Sequence, residues 1–303
     1  MGQTKPRWVG ELVGVLRVEP QKRVRLSDFD PAFTAGFEKK DARKLLKESV
    51  QLLSSYQVRL AAEDTRGVLL CLQGMDAAGK DSTIRHVMSG VNPQGVQVTS
   101  FKQPSAEELR HDYLWRYAQR LPAHGEIGVF NRSQYEEVLV VRVHPELLTR
   151  QRLTRQDEGE NLWSRRFTEI NNWERYASDS AIRVLKVCLN LSNEEQRVRF
   201  LRRLDLPDHN WKFSASDVRE RRYWDDYQHA YSEALSHTST EWAPWYVVPA
   251  DHKWFGRLCV SAILLDALMD LDPQFPSITE AQRREEREAK ASLLAEAPEP
   301  AQA

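Results

Sequence analysis

The stretch Gly67-Val-Leu-Leu-Cys-Leu-Gln73-Gly74-Met75-Asp76-Ala77-Ala78-Gly79-Lys80-Asp81-Ser82 decides the fold. Its first seven residues are an apolar run of strand length, and the next seven fit G-x-x-x-x-G-K, the core of a phosphate-binding loop that joins a strand to a helix. The glycines permit a loop whose backbone N–H groups face phosphate oxygens. Lys80 adds a charge, and the helix expected from about Asp81 adds the partial positive charge of its N-terminus. Asp81 stands where Ser or Thr is usual, so the match is incomplete. Such a pattern arises by chance in on the order of one in ten chains of this length; its position, strand before and helix after, is what favours an anion site over a tight turn with a solvated lysine. The candidate loop is therefore Gly74, Ala77, Ala78, Gly79, Lys80, Asp81 and Ser82.

Asp76 sharpens that reading. A carboxylate inside a loop that gathers phosphates repels them unless a divalent cation lies between, which argues for magnesium, with manganese as the alternative, and makes Asp76 the candidate metal ligand. The competing reading is a surface turn aspartate. Asp81, in the first helical turn, is equally well explained by the helix dipole.

Outward from the loop, short Val/Ile/Leu-rich runs recur at Val96 to Thr99, Glu126 to Phe130, Ile182 to Leu189 and Trp245 to Val248, with helix-length segments between them. Parallel strands need crossovers, usually helical and right-handed, so five such strands predict a doubly wound three-layer α/β sandwich with a five-stranded parallel sheet. Helices are expected over Phe37 to Glu63 and Val218 to Leu235. In the second, Trp224, Tyr227, Tyr231 and Leu235 form one stripe whose ordinary role is core packing. Residues 1–35 read as an N-terminal arm and 36–279 as the phosphate-loop (P-loop) domain. Residues 280–303 read as a charged tail unable to bury enough apolar area to stay ordered.

The 303 residues include 43 Lys and Arg against 44 Asp and Glu, with 29% charged and 41% hydrophobic. That balance excludes general disorder and a supercharged nucleic-acid coat. No run approaches the ~20 apolar residues of a membrane span, and no signal-like segment opens the chain; neither a membrane nor a nucleic acid is expected as a partner, and the cytoplasm is the expected location. Cys71, Cys188 and Cys259 are too far apart for a metal or disulfide pattern and read as buried hydrophobes.

Two further clusters carry chemistry. The third strand ends in Asn131-Arg132-Ser-Gln-Tyr135-Glu136, where phosphate-loop enzymes commonly place an acidic metal ligand; Arg132 there suits bidentate contact with phosphoryl oxygens. After the fourth strand come Arg197, Arg199, Arg202 and Arg203, then Lys212, Arg219, Arg221 and Arg222. Two readings stay open for this run: a solvated helix face paired with Glu194, Glu195 and Asp205, or a lid that grips a polyanion.

Taken together these clusters resemble the family 2 polyphosphate kinases, over roughly Val24 to Pro276. The stretches that carry the resemblance are the loop, Val91-Asn-Pro-Gln-Gly-Val-Gln-Val98, Ser100-Phe-Lys-Gln-Pro-Ser105, Phe130-Asn-Arg-Ser-Gln-Tyr-Glu136, Trp211-Lys-Phe213 and Ala243-Pro-Trp-Tyr-Val-Val-Pro-Ala-Asp251, in the family's order. The resemblance implies a thymidylate-kinase-like P-loop kinase with an α-helical lid at about 192–236. The implied reaction is phosphoryl transfer between inorganic polyphosphate and nucleotides (AMP, ADP and ATP, with GMP and GDP also considered), in a homodimer or homotetramer. It implies catalytic roles for Asp76, Lys80, Asn131, Arg132 and Glu136, polyphosphate contacts from Arg199, Arg203 and Lys212, and nucleotide contacts from Asn92, Lys102 and Arg116. Asn131 replaces a common aspartate and His209 a common lid lysine, while Glu136 looks like the signature of the class III branch, which accepts both mono- and diphosphates. The rival readings are an ATP-dependent nucleoside monophosphate kinase and a polyanion- or nucleotide-binding module without turnover.

Overall fold

The computed structural model describes residues 4–151, 153, 161–205 and 215–296. Strands β1 (Gly67–Gly74), β2 (Val96–Ser100), β3 (Ile127–Asn131), β4 (Ile182–Asn190) and β5 (Trp245–Pro249) form one parallel sheet in the order β2-β3-β1-β4-β5. These are the five apolar runs of the sequence. β1 is the central strand and every residue of it is buried, because helices cover both sheet faces; that is why it reads as a continuous apolar run rather than an alternation.

The helices in chain order are α1 (Arg7–Leu16), α2 (Lys39–Glu63), α3 (Lys80–Val87), α4 (Trp115–Ala118), α5 (Val140–Val143), α6 (Asn161–Asp179), α7 (Asn193–Asp205), α8 (Ala215–Glu220), α9 (Trp224–Thr238), α10 (Lys253–Leu271) and α11 (Glu280–Ala295). Since side chains alternate across a strand, β1 feeds two cores. Val68, Leu70 and Leu72 pack in one with α1, α2, α3 and α10. Leu69 and Cys71 pack in the other layer, where Phe130, Ala177 of α6, and Tyr231 and Leu235 of α9 are also buried. The result is a three-layer sandwich of the phosphate-loop kinase type.

From β1 the chain builds one side of the sheet through β2 and β3, then the other through β4 and β5. In open α/β sheets the crevice beyond the carboxyl ends of the strands, where the order reverses, is where ligands bind. Here that crevice lies beside the end of β1, at the phosphate loop. The span read as a lid, about 192–236, contains α7, α8 and α9; Lys212 and His209 lie outside the described residues.

Two segments differ from expectation. Within the arm, α1 buries Val9, Leu12, Val13 and Leu16 against α10, and Lys5 sits 2.8 Å from Asp266 and 2.5 Å from Asp270, so this part of the arm belongs to the body. Residues 280–295, expected without order, form helix α11. None of its residues is buried, in keeping with the tail's lack of apolar area. Local signals supply the helix instead: a Thr279/Gln282 capping box and a run of good helix formers.

Candidate active site

The loop after β1 takes its shape from two glycines and from what packs behind it. At Gly74 a side chain's Cβ would stand 2.9 Å from the carbonyl oxygen of Leu189, so only glycine lets β1 lie this close to β4. Gly79 has φ 105°, and Ala77 adopts φ 65°, a left-handed conformation that costs a non-glycine residue roughly 1–2 kcal/mol. Lys80 opens α3 and donates from Nζ to the carbonyls of Gly74 (2.6 Å) and Met75 (3.4 Å), folding its ammonium back over the loop. Loss of hydration and the nearby Arg132 charge lower its pKa, with Asp76, Glu136 and Asp81 opposing.

Arg132 follows β3 with φ 65° and places its guanidinium between two carboxylates. Nη2 donates to Asp76 Oδ1 and Nη1 to Glu136 Oε2, both at 2.9 Å. The charge of Glu136, with that of Asp76 behind it, raises the Arg132 pKa against the cost of burial. Ser133, Gln134 and Tyr135 behind it are fully buried and tied down: Gln73 Nε2 donates to Ser133 Oγ (3.1 Å), and Gln134 Nε2 and the Tyr135 hydroxyl donate to Glu174 Oε1 (both 2.9 Å). Lys186 Nζ completes the network on Glu174 Oε2 (2.5 Å), Tyr135 and the Thr238 carbonyl. A strained arginine thus projects from a locked base.

Asn131 Nδ2 donates to Asp81 Oδ1 at 2.6 Å. This explains the asparagine: an aspartate there would set two carboxylates against each other. Asp76, Lys80, Asn131, Arg132 and Glu136 are therefore brought together at the carboxyl ends of β1 and β3.

In front of them opens a cleft of about 1480 Å³ lined by eleven Lys and Arg side chains and only four carboxylates, in a chain whose net charge is −1. The surplus comes largely from residues the sequence reading did not single out. Lys39 and Arg43 stand at the start of α2, Arg85 on α3, and Lys253 and Arg257 at the start of α10. Among the described residues none of these five forms an ion pair, and the Arg257 Nε is buried without an acceptor. Desolvation, together with Arg199 and Arg202, lowers the Lys253 pKa; desolvation, Arg85 and Arg199 lower that of Arg257. Cations crowded until they perturb one another form a site for a polyanion. They are scattered through the chain, and no sequence window gathers them.

The remaining assigned residues divide between the cleft and other positions. Arg199, expected to grip polyphosphate, is 5% exposed and has all five N–H groups on protein acceptors: Nε on Glu195 (2.8 Å), Nη1 on the carbonyls of Ala77 (2.9 Å) and Ala78 (3.1 Å), and Nη2 on those of Ala250 (2.5 Å) and Asp251 (2.9 Å). It has no donor left for a phosphate. Arg197 is exposed and pairs with Glu194, so the paired-face alternative holds for it, whereas Arg199 fits neither reading: it is buried and spent mainly on backbone carbonyls. Arg203 lines the cleft and lies 3.5 Å from Asp217. Of the residues assigned to the nucleotide, Lys102 lines the cleft. Arg116 is buried, donates to the Lys102 carbonyl (2.8 Å) and borders a separate cleft of about 350 Å³. Asn92 caps the turn before β2, accepting from the Gln94 N–H, because an Asx turn absorbs its side chain.

Comparison with known proteins agrees with this geometry. The family model described as polyphosphate kinase 2 matches residues 36–276. An ADP-polyphosphate phosphotransferase of Rhodopseudomonas palustris is 47% identical over 280 residues, 92% of this chain and 97% of that protein. An AMP/ADP-polyphosphate phosphotransferase of Meiothermus ruber is 45% identical over 262 residues, 86% of this chain and 94% of its own. The crystal structure of polyphosphate kinase 2 from Arthrobacter aurescens superposes with a TM-score of 0.84 at 40% identity, covering 94% of this chain and 97% of that one.

Proposed function

The chain belongs to the polyphosphate kinase 2 family and transfers phosphoryl groups between inorganic polyphosphate and nucleotides; from that premise we propose how its cleft does so. The observation that carries the reading is the cationic cleft opening onto the loop, with Lys80 and Arg132 among its lining residues. Polyphosphate, with nearly one charge per unit, threads along Lys253, Arg257, Arg85, Lys39 and Arg43, and its terminal phosphoryl rests against the loop. Lys80 uses one N–H on Gly74 and a weaker one on Met75, and the remainder serves that phosphoryl. Arg132 stabilises charge on its equatorial oxygens while the nucleotide's terminal phosphate attacks in line. Phosphoryl transfer asks the protein for positioning and charge, not for a nucleophilic side chain.

Magnesium, with manganese the alternative, is part of this reading. Among the described residues no three or more His, Cys, Asp or Glu side chains form a metal cage. Magnesium fits all the same, since it is commonly held by one or two carboxylates with substrate phosphates and water. Asp76 would hold it, with Asp81 beside it on the cleft wall. When bound, the ion supplies charge neutralisation at phosphoryl oxygens.

Both mono- and diphosphates are taken as acceptors. Glu136 and the Meiothermus ruber relative, named for AMP and ADP, support this. A homodimer or homotetramer rests on the family resemblance; light scattering would read two or four times 35.1 kDa. Among the described residues no helix is long and apolar enough to cross a membrane. The test is a matrix of AMP, ADP, GMP and GDP against long-chain polyphosphate or ATP, with magnesium, manganese or a chelator. Product from AMP and ADP with polyphosphate, abolished by chelator, is expected. Turnover with ATP as the only donor would favour the monophosphate-kinase alternative, and binding without turnover the non-catalytic module.

A further inference from the structure

The phosphate loop is held by α7, which also forms a wall of the cleft. Gln196 Nε2 donates to the Asp76 carbonyl at 2.9 Å, and Arg199 Nη1 takes the next two carbonyls, Ala77 and Ala78. Both side chains are buried, and the second Arg199 nitrogen is anchored on the Ala250 and Asp251 carbonyls at the end of β5. In a trans peptide the C=O of one residue and the N–H of the next point in opposite directions, and none of the peptide bonds here is cis. Fixing the carbonyls of 76 and 78 toward α7 therefore turns the N–H groups of Ala77 and Gly79 away from it. The left-handed Ala77 between them is a conformation that persists only where surroundings impose it.

We propose that Gln196 and Arg199 are positioning residues of the phosphate loop: through three consecutive carbonyls they set the direction of the loop's N–H groups, and Arg199 makes no contact with polyphosphate. The inference rests on the reading that this loop holds phosphate. It ties the loop's shape to α7, so that the first helix of the lid region and the loop form one unit.

The test compares Arg199→Met, Arg199→Lys and Gln196→Met in the full-length protein, with kcat and polyphosphate KM measured from 50 to 300 mM salt and unfolding followed in parallel. A misplaced loop should lower kcat about 100-fold in both Arg199 variants and about 10-fold in Gln196→Met. The polyphosphate KM and its salt slope should stay near those of the parent, since no phosphate-bound charge is removed. Lysine should fail to rescue, because one ammonium cannot span two pairs of carbonyls. A raised KM with a flatter salt slope and unchanged kcat in Arg199→Met would make Arg199 a substrate contact, and full activity of Arg199→Lys would make charge, not geometry, its contribution; either overturns the proposal. If the Arg199 variants do not fold, Gln196→Met decides alone, and an unchanged kcat there is equally fatal. Lys80→Ala separates the two readings: retained turnover removes the loop from the mechanism, whereas its loss beside normal Gln196→Met and Arg199→Met rates removes only the brace.

Discussion

The guanidinium of Arg132 and the carboxylate of Asp76 meet at 2.9 Å across the gap between β3 and the loop after β1. Each is about one-third exposed, so the pair is open to substrate rather than sealed in the core. A phosphoryl group entering there takes the Arg132 Nη2 donor from Asp76, which leaves the carboxylate for a divalent cation. Asp76→Asn and Arg132→Ala are expected to lower kcat by about 10²–10³-fold, the scale of losing one preorganised charge contact in a transition state. Melting temperatures should move little, because neither side chain packs in a core. A rate within threefold of the parent in either variant removes that residue from the mechanism.

Lys80 gives a pH signature. Its pKa is lowered in the free protein by loss of hydration first and by Arg132 second. An anion at the loop favours the charged ammonium and raises the pKa again. As pH climbs through the lowered value, the free protein loses a proton that the complex keeps. Binding of inorganic triphosphate should therefore take up protons on the alkaline side, and affinity should decline there. Calorimetry in buffers of differing ionisation enthalpy reads the uptake directly, and Lys80→Met should abolish it. Uptake that survives in Lys80→Met assigns the proton to another group.

Lys253 and Lys39, which form no ion pair among the described residues, predict a graded loss. Lys253→Ala and Lys39→Ala each remove one exposed contact to a flexible polyanion, worth roughly 0.5–1 kcal/mol. That corresponds to about a two- to fivefold rise in polyphosphate KM with kcat nearly unchanged. The salt dependence of KM should flatten as each charge is removed, because fewer charges remain to be screened. An unchanged salt slope in the double variant would mean that the chain runs elsewhere.

How much of this was legible in the sequence follows from the range of each interaction. All five strands and the loop could be read because apolar runs and glycine spacing are local. Arg132 and Asp76 could be placed because both lie at strand ends, where topology decides the neighbourhood. Arg199 could not: i to i+4 spacing showed which residues share its helix face, but not that the carbonyls of Ala77 and Ala250 would saturate it. Lys39 and Lys253 are more than two hundred residues apart, and only the fold puts them in one cleft. Lys186 did leave a trace, as a charge inside the apolar run Ile182 to Leu189, where a buried partner is obligatory.

That partner is Glu174, 2.5 Å away, and both side chains are completely buried. Burial pushes the Glu174 pKa up and the Lys186 pKa down, each resisted by the other's charge. Removing one partner leaves an uncompensated buried group, so Lys186→Met should cost about 3–5 kcal/mol in urea unfolding. Replacing both, as Lys186→Met with Glu174→Leu, should cost less than the sum of the single changes, since the remaining charge disappears with its partner. Yet the double variant still deprives Gln134 and Tyr135 of their acceptor. Those residues hold the turn behind Arg132 in its left-handed conformation, so kcat should fall even where stability is regained. Recovery of stability together with full kcat would show that the Arg132 turn is held by the backbone alone, and would confine the network to the core.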